Sequence, residues 1–427
     1  MQASKVVENT IKTETFKQTT ITFSATFING TLGFLFYVVT ARFLGPENFG
    51  LLIISLTVLA LVADIGNFGI NAGIVNFVSK NKKNKEVSMS YLKLGLKLKL
   101  LIGIVTLILG FILAPLLCVY VFNKPHLITP LRLAFAGVGT TWLFSFITSY
   151  YQSFEKFISW GLIQIFANFL RLFLVLVFVY ASILTVNSSM VFYITAPLIG
   201  FLLAMSFIPK GFLKVENEDR YFKKFVKFNK WVGLSAIAAS LSSKMDTFIL
   251  ATLLSAREVG LYSAAYQIVQ VIPQLISALG TVVAPKFASL TNKNEMLMYF
   301  KKTQTMVVGV SLLGLLGIPV FKLLIPALMG AKYNDSFPIF SILLIGLLLF
   351  LIATPVHNAI IYYYNYPKLL SHIAYLNLFI LLLLGYFATI KFGIIGMAAI
   401  TVLLNFLNLI IPSVWMKLNV DRRTAKQ

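Results

Sequence analysis

Twelve apolar runs, parted by short polar gaps, leave this chain few folds to choose from. They lie near 19–41, 49–78, 94–122, 131–153, 159–183 and 190–209, then 231–254, 260–289, 305–328, 337–364, 369–390 and 394–416. A run of about 20 apolar residues crosses about 30 Å of hydrocarbon as a helix, and in lipid every backbone polar group must be satisfied within the protein. The expected fold is therefore an all-α polytopic membrane protein of about twelve transmembrane helices. Composition agrees: 58% of residues are hydrophobic and 12% charged, with a mean hydropathy of +0.87, against roughly a quarter charged in soluble domains.

The formal charge of +22 would point to nucleic acid in a soluble chain. Here about 26 of the 36 Lys and Arg fall in alternate gaps, the N-terminal tail, 80–99, 155–156, 210–230, 293–302, 368 and the tail from 417. The opposite gaps hold about 6. Such an asymmetry reports orientation, so both termini are expected to be cytoplasmic and no nucleic-acid partner is implied. Within 210–230, Phe222 and Phe225 alternate with Lys223, Lys224, Lys227 and Lys230, with Trp231 just beyond, as in a basic helix lying on an anionic leaflet.

The chain repeats itself. Pro46-Glu47-Asn48-Phe49-Gly50-Leu51 reads like Ala256-Arg257-Glu258-Val259-Gly260-Leu261, about 210 residues on, and Tyr151 to Lys156 is echoed by Tyr363 to Lys368 at nearly that offset. Two six-helix lobes follow, 1–209 and 231–427, joined by the basic amphipathic linker 210–230. With six spans each, the lobes have the same orientation, so the expected pseudo-two-fold axis lies along the membrane normal and a central pathway lies between them.

Polar residues recur at helical spacing inside the spans, where they must face a partner helix or a wet cavity. Thr22, Thr26 and Asn29 do so in the first span and Asp64, Asn67 and Asn71 in the second. Gln164, Asn168 and Arg171 follow in the fifth, Ser235, Ser242 and Asp246 in the seventh, and Tyr266, Gln270 and Gln274 in the eighth. The expected substrate cavity is lined by Asn29, Asp64, Asn67, Asn71, Arg171, Lys244, Asp246, Tyr266, Gln270 and Gln274. Lys244 and Asp246 are about 200° apart on a helix, and Asp246 shares the polar face. The third and ninth spans show no comparable stripe and are expected at the periphery.

The three histidines are scattered, with no acidic or Cys neighbour at ligand spacing, so no metal site or other cofactor is expected. No phosphate-binding loop of the G-x-x-x-x-G-K-[ST] type occurs. The gaps are too short for a catalytic domain, and no carboxylate pair or activated nucleophile is visible, so the chain is not expected to be an enzyme.

The run Ala41-Arg42-Phe43-Leu44-Gly45-Pro46-Glu47-Asn48-Phe49-Gly50-Leu51 resembles the signature turn of polysaccharide-repeat (O-antigen type) flippases. These belong to the multidrug/oligosaccharidyl-lipid/polysaccharide exporter superfamily. Asp246, the run Glu258 to Tyr266 and the run Phe392 to Ala399 also fit that family. Asn67-Phe68-Gly69-Ile70 departs from its usual acid-x-Gly-x, with Asp64 one turn earlier. The resemblance implies two six-helix bundles around a cavity that opens alternately to each side, and a polyprenyl-pyrophosphate-linked oligosaccharide as substrate; the duplicated turns, with Arg42, Gly45, Pro46, Gly50, Glu258 and Gly260, are the expected hinges of that motion. Proton or sodium coupling through Asp64 or Asp246 is a further expectation. Membrane lipids and polysaccharide-assembly proteins are the remaining candidate partners of a monomeric exporter in the cell membrane. A multidrug/cation antiporter, a peptidoglycan-precursor flippase and a membrane-embedded polymerase or glycosyltransferase are the competing readings.

Overall fold

The computed structural model describes residues 14–216 and 218–419, and is helical with no strand among them. The polar tails expected at 1–13 and 420–427 lie outside the described residues. The helices are α1 (Glu14–Asn67), α2 (Ile70–Lys80), α3 (Lys85–Leu116), α4 (Ile128–Ser153), α5 (Phe157–Tyr180), α6 (Val186–Phe207) and α7 (Phe222–Leu253). They continue as α8 (Ala256–Val269), α9 (Val271–Ser289), α10 (Lys293–Leu316), α11 (Ile318–Met329), α12 (Ser336–Asn358), α13 (Lys368–Ile380) and α14 (Tyr386–Leu418). Eight stretches among the described residues are long and apolar enough to cross a membrane, nine when the bent pair α10 and α11 is included. The protein is a multi-pass membrane protein.

Two of those stretches, Lys17–Asn67 and Lys368–Leu418, have 51 residues each. A straight helix of that length would run about 76 Å, more than twice the hydrocarbon thickness. Each is divided by one glycine with positive φ, Gly45 (φ 74°) and Gly393 (φ 59°), a conformation that costs glycine little and other residues much. Pro46 then restarts the helix, since its fixed φ suits a first turn and its missing N–H would have had no partner there. Each long stretch thus accounts for two expected spans, and the twelve runs of the sequence all appear as helix.

By packing, the chain forms two compact units. One comprises Met1–Leu44 and Leu51–Lys244, and the other Gly45–Gly50 and Met245–Gln427. The sequence repeat leads one to expect the division at the 210–230 linker, whereas the division by packing falls at Lys244, inside α7.

The first unit has a core in which Phe77 stacks on Tyr91 at 4.6 Å between ring centroids. Phe212 and Phe225 are buried in that core, so the linker differs from the amphipathic surface helix expected. Phe222 and Trp231 stay exposed, but Phe225 lies within 6 Å of both Phe77 and Tyr91. Burying a phenyl ring in an existing aromatic core gains more than laying it at the lipid surface. Glycines let α7 approach closely: a Cβ on Gly73 would sit 2.3 Å from Asn229 Oδ1, and one on Gly233 would sit 2.9 Å from Phe68.

The second unit is built on α12 against α14. There a Cβ on Gly346 would come within 3.2 Å of the Val402 backbone. Tyr363, Phe287 and Met296 close one end of its core, and Tyr366 stacks on Trp415 at 5.1 Å. The turn before α8 is fixed by a capping box: Ser255 Oγ accepts from Glu258 N at 3.3 Å, and Glu258 Oε2 accepts from Ser255 N at 2.9 Å.

Candidate functional site

In the first unit, the helices expected to be polar converge at two places. At the first, Asn168 on α5 donates Nδ2–H to Asn29 Oδ1 on α1 at 2.8 Å, and Arg171 donates from Nη1 to Asn168 Oδ1 at 3.2 Å. The guanidinium lies 3.8 Å from the Tyr193 ring centroid, and 5.6 Å from that of Phe36. No carboxylate pairs with it among the described residues, and its buried Nε–H has no partner. A guanidinium held by an amide and two aromatic faces retains a spare donor.

The second place is a break in the second span. Phe68 (φ 39°) and Gly69 (φ 77°) interrupt the helix between α1 and α2. Asn67 stands directly before the break and accepts from Lys99 Nζ at 3.2 Å, while Lys99 also donates to Ser145 Oγ at 2.8 Å. Lys99 is 2% exposed, on α3. The third span is therefore not peripheral throughout: its first turns carry a buried lysine, and only its later part, including Leu101, Ile104 and Ile112, is exposed apolar surface. Beyond the break, Asn71 Oδ1 is buried without a partner. Trp142 donates Nε1–H to the Ala63 carbonyl at 2.8 Å, which ties α4 to the same region. Asp64 accepts from Ser240 Oγ on α7 at 2.7 Å. Lys244 is half-buried and makes no hydrogen bond or ion pair among the described residues.

In the second unit, Asp246 Oδ1 accepts from Thr247 N at 2.6 Å and its Oδ2 accepts from the Tyr262 hydroxyl at 3.2 Å. Tyr262 is fully buried, and its hydroxyl also meets that of Thr401 on α14, so one network joins α7, α8 and α14. Tyr266 stacks on Tyr262 at 6.3 Å and pairs with Gln270. Gln270 stands at the break between α8 and α9, where Pro273 cannot donate to the Val269 carbonyl. Gln274, one turn on, is exposed.

The two repeated turns meet within the second unit. A Cβ on Gly50 would lie 1.8 Å from the Ala256 carbonyl oxygen, and one on Gly260 would lie 1.9 Å from that of Pro46. The contact is reciprocal, with each residue matched by its counterpart about 210 positions away. Arg257 pairs with Asp335 at 3.5 Å beside it.

Lys99 is the residue that sequence reasoning missed. It ends the run Lys93, Lys97, Lys99 and passes as the last charge of a basic loop. Its spacing carries the signal: Lys93 and Lys97 share a helix face, whereas Lys99 lies about 200° around from Lys97.

Solved membrane transporters share this arrangement of helices. An inward-facing multidrug resistance MATE family transporter of the MOP superfamily superposes with a TM-score of 0.76, at 13% identity, over 93% of this chain and 96% of its own. The inward-closed lipid II flippase MurJ gives a TM-score of 0.72, at 16% identity, over 92% and 87%. A MOP superfamily transporter from Pyrococcus furiosus gives 0.63, at 14% identity, over 96% of both chains. The fold is thus that of MOP superfamily transporters.

The chain belongs to the family described as polysaccharide biosynthesis protein, whose model matches residues 15–291. It is 27% identical over 333 residues to the lipopolysaccharide biosynthesis protein WzxC of Escherichia coli (strain K12). The match covers 74% of this chain and 64% of that relative's length.

Proposed function

We propose that the protein is a flippase that moves a polyprenyl-pyrophosphate-linked oligosaccharide across the cell membrane by alternating access. Family membership supports the reading, as do a relative named for lipopolysaccharide biosynthesis and a fold shared with a lipid II flippase. The single observation that carries it is Arg171, a guanidinium inside a span with no carboxylate and an unused, buried N–H. Such a group suits a pyrophosphate or an acidic sugar, with Asn29 and Asn168 beside it for hydroxyls. In this reading the lobes are 1–209 and 231–427, both termini are cytoplasmic, and the substrate cavity lies between the lobes about a pseudo-two-fold axis. The protein acts as a monomer and makes no covalent change in its cargo.

Asp246, with the hydroxyls of Tyr262 and Thr401, is the proposed site of proton or sodium coupling, because its carboxylate and the Tyr262 hydroxyl together link three helices. The glycine turns at 45–50 and 256–260 are the proposed pivots.

The test is Arg171→Gln in a strain lacking its own flippase. Surface polysaccharide is expected to fall at least tenfold at unchanged protein level, with lipid-linked oligosaccharide accumulating inside. Normal export would overturn the anion site. Efflux of a fluorescent cation without any polysaccharide phenotype would establish the antiporter reading instead.

A further inference from the structure

Two adjoining cavities run end to end between α1 and α5 in the first unit, sharing Ile21 and Ile158. The larger, about 320 Å³, is an apolar slot. Its floor is the contact of Ala25 with Gly161, where a Cβ on the glycine would sit 2.7 Å from the alanine methyl. Small residues draw the two helices together there, and longer ones on either side, Ile28, Ile158 and Leu162, stand up as lips that are 43%, 58% and 61% exposed.

The second cavity, about 300 Å³, continues the slot to its polar end, where Lys17, Lys156, Gln18, Ser159 and Glu155 line it. Glu155 is already engaged: its Oε1 accepts from Lys82 Nζ at 2.7 Å. That leaves Lys17 and Lys156, neither of which has a counter-ion among the described residues. The cleft is thus apolar for most of its length and cationic at one end, the pattern of a chain with an anionic head.

We propose that this cleft is a binding site for one anionic phospholipid, with an acyl chain in the slot and the phosphate between Lys17 and Lys156. The lipid comes from the leaflet at that end, the cytoplasmic one in the orientation proposed above. Two ammonium groups, with Gln18 and Ser159 beside them, can hold a phosphate. Asn29, Asn168 and Arg171, the residues proposed for the sugar and pyrophosphate, do not line the cleft. The proposal is independent of the transport reading, and its failure would leave that reading untouched.

The test is lipid retention by the purified full-length protein, measured by native mass spectrometry with phosphatidylglycerol and phosphatidylcholine of identical chains. Wild type is expected to prefer phosphatidylglycerol, and the preference should fall about fivefold for each of Lys17→Gln and Lys156→Gln. Lys301→Gln with Lys302→Gln, on α10, should leave it unchanged. Ser24 is exposed in the slot, so Ser24→Phe fills the cleft without disturbing the core and should remove the tightly held lipid. Wild-type preference in the Lys17/Lys156 double variant would overturn the proposal. So would displacement of phosphatidylglycerol by an equimolar polyprenyl phosphate, which would assign the cleft to the carrier.

Discussion

Substitution of Gly50 by alanine tests the meeting of the two repeated turns. The added methyl would sit 1.8 Å from the Ala256 carbonyl oxygen, where ordinary contact begins at 3.4 Å, so the backbones must part by about 1.6 Å. The obstacle is main chain, so no side chain can rotate away. Overpacking a tight contact costs about 1–3 kcal/mol when neighbours can adjust, and the upper end applies here. About 3 kcal/mol should lower the midpoint of thermal unfolding by roughly 3 °C, read by fluorescence-detected size exclusion after heating. Gly260→Ala meets the Pro46 carbonyl at 1.9 Å and should behave alike. Because either change separates the same two backbones, the double variant should cost clearly less than the sum. Gly309→Ala is the control: nothing lies within 4 Å of its Cβ, so it should be neutral or slightly stabilising. If Gly50→Ala melts within about 1 °C of wild type, the glycine contact is not what holds the turns.

Other interactions yield similar tests. Ser255→Ala removes the side-chain acceptor of the α8 capping box and should cost about 1 kcal/mol, seen as a lower melting midpoint. Asn67→Leu takes one of two acceptors from the buried Lys99 side chain and should destabilise by about 1–3 kcal/mol. Combined with Lys99→Met, which removes the donor, most of that loss should be recovered. Trp142→Phe loses the indole bond to the Ala63 carbonyl, whose helix bond remains, at about 0.5–1.5 kcal/mol; an unchanged midpoint would show that the tie contributes nothing to stability.

Much of this architecture can be read from residue order, because lipid forces the backbone into helices and a run of apolar residues has no other use for its length. The turns were legible for the same reason: Gly45-Pro46 interrupts an apolar run with residues whose conformation is nearly dictated, and the Ala256 to Gly260 turn repeats it, while the Ser255 cap that fixes the second turn went unread. The two echoed segments that end the fourth and tenth spans each hold one residue with positive φ, Glu155 (φ 56°) and Asn365 (φ 52°), though not at matched positions. The polar stripes were less informative than their spacing implied. Thr22 and Thr26 bond the carbonyls one turn back, at 2.8 Å each, and Ser242 does likewise at 2.9 Å, so these hydroxyls need no neighbour. An amide or a cation cannot satisfy itself so fully, and Asn29, Asn67 and Arg171 did mark contacts between helices. The break at Phe68–Gly69 was hidden because Asn-Phe-Gly inside an apolar run is equally compatible with an unbroken helix, and Lys99 because a lysine beside a basic loop looks solvated.

The six residues Gly45–Gly50 precede the rest of the compact unit they belong to by almost 200 positions. During synthesis they leave the ribosome long before Ala256 and Gly260 exist, and must wait through the insertion of the intervening helices for the backbone they will rest against. A polypeptide beginning after Lys244 would contain every later helix and still lack the surface that closes over Gly260. The second unit is in this sense stitched from a segment of the first hundred residues and the chain that follows Lys244.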